Sequence, residues 1–121
     1  PQSKIRTAFA ERGEDGMVGS SAIAECYESG DELAVRVIDD AAELLGMAIA
    51  NAVTLLSVRA VVLGGGVTEA LGKRYVDRVR ESFEWNVFPS TLKKCHLVVG
   101  QLGDAAGVLG AALLAQAHPK K

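Results

Sequence analysis

The amino-acid sequence predicts an α/β unit in which three helices precede a β-α-β-α run with two parallel strands. Three observations carry this expectation. Apolar residues recur at intervals of three or four through most of residues 20–56 and again over 71–83, the period of helices packed on one side. Two short β-rich segments, Ala60–Leu63 and residues 95–99, each run into glycine. A strand-helix-strand-helix order then calls for a right-handed crossover, which makes the strands parallel.

The elements follow in order. Residues 3–12 read as a short helix with Ile5 and Phe9 on one face, stopped by the turn-forming residues 13–16. Ser20 or Ser21 is placed to cap a second helix reaching Glu28, with Ile23, Ala24 and Tyr27 as its apolar side. Asp31 and Glu32 open the third and longest helix. Its stripe of Leu33, Val37, Ala41, Leu44, Ala48, Ala52 and Leu55 is expected to face the core, while Arg36, Asp39, Asp40 and Glu43 mark a solvated side. Residues 44–56 are apolar on every side and are expected to run through the centre of the fold. Asn51, the polar amide within them, then needs buried partners, and fixes helix register or touches a ligand.

Ala60–Leu63 reads as a strand covered on both faces. Leu71, Tyr75, Val79 and Phe83 recur every four residues and define a fourth helix, which Pro89, Ser90 and Thr91 break. Residues 95–99 form the second strand, 100–103 a loop, and Asp104 caps a last helix to about Gln116. Along that helix Gly103, Ala106, Gly107, Gly110 and Ala111 line one side, so close packing of another element is expected there.

The totals narrow the function classes. A chain of 121 residues fits one domain, residues 1–121, and is long enough to bury roughly two thirds of its unfolded surface. With 49% hydrophobic but only 5% aromatic residues, the core is aliphatic. Thirteen basic against fifteen acidic residues, scattered, leave a net charge of −2 and no footprint for nucleic acid. Cys26 and Cys95 form no CxxC pair and suit free thiols in a cytoplasmic setting, with a single disulfide left open. Cys95, His96 and His118 match no metal spacing, so no metal ligands are assigned. Residues 44–58, the longest uncharged run, are too short and too polar to span a bilayer. The chain starts at Pro1 and enters a helical pattern almost at once, which points to a piece of a longer protein.

The most informative stretch is residues 60–66, where Ala-Val-Val-Leu meets Gly64, Gly65 and Gly66 and an amphipathic helix follows. Glycines at the carboxyl end of a strand let backbone approach a ligand without Cβ interference. The helix that follows offers its free N–H groups to a ribose hydroxyl or a phosphate. The alternative is a tight turn with no ligand. Two phosphate motifs fail here. A dinucleotide fingerprint needs glycine where Glu69 stands, and a P-loop needs glycine at Val67 and a hydroxyl residue at Arg74. No Ser-His-Asp or Cys-His arrangement can be assembled, so no catalytic residue is assigned.

These residues carry a resemblance. Gly30-Asp31-Glu32-Leu33-Ala34, the helix ending Ala50-Asn51-Ala52-Val53, and Ala60-Val61-Val62-Leu63-Gly64-Gly65-Gly66-Val67 resemble the ROK family of repressors, open reading frames and kinases. Arg80-Glu81-Ser82-Phe83, Pro89 and the run from Leu102-Gly103-Asp104 to Gly110-Ala111-Ala112 are similar to the closing segment of its bacterial glucokinases. The resemblance implies a partial actin-like ATPase, or ribonuclease H-like, domain. It further implies ATP, with Mg²⁺ in the complete enzyme, as cofactor and a hexose as substrate, with Gly64, Gly65 and Gly66 beside the adenosine. The family's phosphate loop, catalytic aspartate and His and Cys zinc site have no counterpart in these residues. The chain is thus expected to be the carboxyl-terminal part of a sugar kinase, inactive alone. The other reading is the sugar-sensing half of a ROK repressor, against which the intact glycines stand. Ser57-Val58-Arg59 replaces the Asn-Pro often found before the strand, altering only its entry. In such a sheet Ala60–Leu63 would have a bare edge, so homo-oligomers are expected, through that edge or the long helix.

Overall fold

In a computed structural model the chain is described at Ser3, Lys4, Thr7, residues 19–103 and residues 105–117. Helices α1 (Ser20–Glu28) and α2 (Glu32–Leu56) lead to strand β1 (Ala60–Leu63). Helix α3 (Gly66–Asn86), a 3₁₀ turn (Ser90–Lys94), strand β2 (His96–Val99) and helix α4 (Ala105–Ala117) follow. The predicted first helix and the Asp104 cap fall outside the described residues, apart from a Thr7 N–H donating to the Ser3 carbonyl at 3.3 Å.

The strands pair in parallel, with Ala60 opposite His96 and Leu63 opposite Val99. The α/β class and the βαβα order therefore match expectation. Helix α2 begins where the sequence placed it. Asp31 is its N-cap, the carboxylate accepting from the N–H groups of Leu33 and Ala34, both at 3.1 Å. Gly19, one residue before the serines expected to cap α1, holds the N-cap position, with no side-chain bond.

The core lies where α2 crosses α3. Leu71, Tyr75, Val79 and Phe83 of α3 are all buried, as their spacing foretold, against Ile38, Ala42, Ile49 and Val53 of α2. Burial of each large aliphatic or aromatic side chain contributes about 1.5–3 kcal/mol. The expected stripe on α2 is one position out. Ala34, Ile38, Ala42, Gly46, Ile49, Ala50 and Val53 face inward, whereas Val37, Leu44 and Leu55 are exposed by 55%, 66% and 82%. Asn51 is exposed as well and needs no buried partner. The supposed wet face is also in use. Asp39 accepts from the hydroxyl of fully buried Tyr27 at 2.7 Å, and Glu43 pairs with Arg78 at 3.2 Å.

Helices α2 and α3 approach closely at Gly46, where a Cβ would stand 2.5 Å from the Val79 carbonyl oxygen and 2.6 Å from Ser82 Cβ. There Ser82 Oγ donates to the Glu43 carbonyl at 2.7 Å. The glycine-alanine series of α4 does not play that part. No residue of α4 is buried, and nothing lies within 4 Å of a Cβ built on Gly107 or Gly110. The sheet is covered on one face only, by Val61, Leu63 and Leu97, while Val62 and Val98 on the other face are 65% and 44% exposed. The expectation of a strand covered on both sides is thus corrected: among the described residues no helix packs on the second face.

Two backbone features complete the frame. Gly72, at φ 63° and ψ −154°, breaks α3 into residues 66–71 and 73–86. After α3 the chain passes a cis Phe88–Pro89 bond, where Phe88 N–H donates to Thr54 Oγ1 at 3.2 Å and ties the loop to the end of α2. Arg80 donates to the Leu97 carbonyl at 2.8 Å, fixing β2 against α3.

Candidate functional site

The carboxyl ends of the two strands face the same side, because parallel pairing aligns Leu63 with Val99. Beyond Leu63, which is buried, the chain turns through Gly64, Gly65 and Gly66, all exposed. Gly65 has φ 97° and ψ 161°, a conformation that a side chain would strain. A Cβ built on any of the three meets nothing within 4 Å. Among the described residues no bulky group blocks the turn, which is open to a ligand. Gly65 is also the N-cap of α3 and supplies no capping side chain. The first helical bond runs from Glu69 N–H to the Gly65 carbonyl at 3.2 Å, so the N–H groups ahead of it are presented outward.

A second glycine turn arrives from β2. Gly100 N–H donates to the Leu63 carbonyl at 2.7 Å, which joins this turn directly to the end of β1. Farther along, Gly103 at φ 49° brings the loop across to α3, where a Cβ on it would stand 3.6 Å from Glu69 Oε1. Thr68 is buried beneath the corner, its hydroxyl 3.5 Å from the Gly64 carbonyl. Two glycine turns and one carboxylate thus converge at the strand ends, the position where open parallel sheets receive ligands. Such a corner can seat and orient a ligand by backbone contacts. Glu69 is the ionisable group that the described geometry brings to it.

The sequence singled out Gly64, Gly65 and Gly66, and the structure gathers them in one turn. It did not single out Glu69. Its signal, an acidic side chain on the first helical turn after the glycines, was read only as a missing glycine. Other candidates lie elsewhere. Cys26 is buried and Cys95 half-buried, both as free thiols, which closes the disulfide alternative. Cys95 and His96 line a cleft of about 460 Å³ with Arg59 and Lys94, at the opposite, amino ends of the strands. Tyr27, Asp39 and Arg74 form a structural cluster. The Arg74 guanidinium lies 4.3 Å over the Tyr27 ring and also donates to the Tyr27 carbonyl at 3.3 Å. Burial, reinforced by the bond to Asp39, pushes the Tyr27 hydroxyl up to about 12.

A parallel βαβα unit with glycine turns gathered at its strand ends defines an α/β protein with an open corner at the carboxyl edge of its sheet. The ROK family model matches residues 6–118, and the chain belongs to the ROK family. It is 30% identical over 95 residues to a glucokinase of Halalkalibacterium halodurans, covering 78% of this chain and 28% of that protein. It is 34% identical over 103 residues to an N-acetyl-D-glucosamine kinase of Pasteurella multocida, covering 80% and 31%. A glucokinase of Streptomyces coelicolor is 28% identical over 116 residues, with coverages of 95% and 36%. The chain therefore spans about a third of the length of these relatives. A solved structure of a protein assigned as a sugar kinase, from Cytophaga hutchinsonii, superposes with a TM-score of 0.73 at 24% identity, covering 90% of this chain and 35% of that one. That likeness supports the fold. No helix among the described residues is long and apolar enough to cross a membrane.

Proposed function

We propose that this chain is the carboxyl-terminal part of an ATP-dependent hexose kinase with an actin-like ATPase fold, and that it holds the adenosine side of the nucleotide site. The observation that carries this reading is the open turn at Gly64, Gly65 and Gly66, left free of side chains where the strand ends and α3 begins. The ROK relatives named as glucokinases and as an N-acetyl-D-glucosamine kinase support the reaction class. The turn fits a flat purine nucleoside, because a planar ring can lie against main chain only where no Cβ intervenes. In the whole protein, ATP with Mg²⁺ supplies the phosphoryl group, and catalysis rests on positioning and charge stabilisation. These residues seat the nucleoside, and the chain alone transfers no phosphate. The exposed apolar residues of α2, α4 and the open sheet face support a place within a larger assembly, whether with the rest of a longer chain or with a second copy.

The test is nucleotide binding by NMR titration of the chain with millimolar ATP. Gly64→Ala and Gly66→Ala place a methyl in open space at positions with no positive φ, so the fold is kept while the approach is blocked. Each is expected to weaken ATP binding at least about tenfold. Gly65→Val is a poorer probe, since φ 97° strains any side chain there. Unchanged ATP affinity in both alanine variants would remove the glycines from the site.

A further inference from the structure

The cleft at the amino ends of the two strands takes no part in the proposed nucleotide site. We propose that it binds a small organic phosphate monoester, whose dianionic group lies between Arg59 and Lys94. Three observations converge there. The cleft holds about 460 Å³, within the range of small-ligand sites, and the strands, four residues each, set it roughly 10 Å from the glycine turns. Arg59 and Lys94 enter it from two separate segments, the approach to β1 and the end of the 3₁₀ turn, with Thr91 and His96 beside them. The His96 N–H donates to the Arg59 carbonyl at 3.0 Å and the Cys95 N–H to the Leu92 carbonyl at 2.9 Å, so both segments are fixed through their backbones.

The third observation is charge without counter-charge. Residues 44–68 and 85–103, which supply both strands and all the lining of the cleft, contain no aspartate or glutamate, and their fixed cations are Arg59, Lys93 and Lys94. Neither Arg59 nor Lys94 makes a hydrogen bond or ion pair with a described residue, whereas Lys73, Arg74, Arg78 and Arg80 of α3 are all engaged. A cleft lined by one sign of charge concentrates ions of the other.

The chemistry selects the ligand. Guanidinium and ammonium groups offer donors and positive charge but no acceptor, so they fit an oxyanion. Two fixed cations match the two charges of a phosphate monoester better than the single charge of a carboxylate. Val58 and Leu92, half-buried, give the cleft apolar lining for the carbon part of an ester. Helix α2 ends nearby and its last carbonyls oppose an anion, but that end carries only about half an elementary charge against two whole cations.

The experiment titrates the chain with glucose 6-phosphate and glycerol 3-phosphate, with acetate and glucose as controls, and reads the backbone amides by NMR. Both esters are expected to move the amides of residues 57–60 and 91–96 and to saturate in the millimolar range, with acetate and glucose at least about tenfold weaker. Arg59→Gln and Lys94→Gln are each expected to weaken the esters about fivefold to tenfold. Lys93→Gln removes an equal charge outside the lining and is expected to weaken them by less than about twofold. All three side chains are exposed, and circular dichroism checks that each variant is folded. Equal weakening by the three variants overturns the site in favour of diffuse attraction, and acetate or glucose binding as tightly as the esters overturns the choice of ligand. Esters that move no amide, or that move residues 64–66 and leave residues 57–60 and 91–96 unmoved, overturn the proposal as well. Ester binding at the cleft without ATP binding at the glycines leaves this proposal in place and removes the nucleotide site.

Discussion

Gly46→Ala tests the packing that carries the site. An added methyl would meet the Val79 carbonyl oxygen at 2.5 Å and Ser82 Oγ at 2.8 Å, and the first of these belongs to backbone that cannot swing aside. Helices α2 and α3 must then part. Overpacking of this kind costs up to about 3 kcal/mol. Separation also stretches the bond from Ser82 Oγ to the Glu43 carbonyl, worth about 1 kcal/mol. The higher helix propensity of alanine returns about 1 kcal/mol. The balance is a loss of about 3 kcal/mol, or roughly 10 °C in melting temperature for a chain of this size. Urea unfolding followed by circular dichroism measures it, with Gly107→Ala in α4 as reference. At Gly107 nothing stands within 4 Å, so the same change gains up to about 1 kcal/mol. A Gly46→Ala protein as stable as the parent would show that the two helices have room to separate, and the account of the core would be wrong.

Two further outcomes are expected. The Tyr27 hydroxyl titrates near 12 in the folded chain against 10.0 when unfolded, so the native state holds its proton longer; stability contributed by this group is complete below pH 10 and lost as pH rises toward 12. Burial raises Tyr75 in the same direction, so thermal melts should fall as pH rises from 10 toward 12, and Tyr27→Phe should lessen the fall; an equal fall in both proteins would contradict this. Asp31→Ala removes the cap on the Leu33 and Ala34 N–H groups and the acceptor for Ser3 Oγ at 2.9 Å, for a loss of about 1–2 kcal/mol in urea unfolding; no measurable loss would mean that the cap is replaced by water.

Much of this arrangement could be read from the residues, and the failures have physical causes. Both strands were legible as short β-rich runs ending in glycine, though not which of their faces is covered, and the buried face of α3 was legible because it carries a single period: Leu71, Tyr75, Val79 and Phe83 alternate with charge, so only one face can turn inward. Helix α2 gives no such contrast. Ile38 and Ala42 are no more apolar than Val37 and Ala41, and what decides between the two stripes is the approach of α3 at Gly46, which lies outside any local pattern. Asn51 was misjudged for the same reason, its place following from which stripe is buried. The small residues of α4 were read as a contact surface, yet composition does not say whether a neighbour is present in the same chain. The corner at Gly64, Gly65 and Gly66 was plain from three consecutive glycines. The nearness of Glu69 to the second glycine turn was not, because Gly103 lies more than thirty positions away and only folding brings it there.

The interruption at Gly72 also bears on how such a corner can change over time. Because the helix path is broken there, the amides proposed to meet a nucleoside ride on a short stub held by the buried Thr68 and Leu71, while the longer remainder packs on α2. The two pieces meet at a single non-helical residue rather than through continuous helix. Small residue changes in the stub can re-aim the lip toward a different ligand pose without disturbing the foundation that holds the sheet.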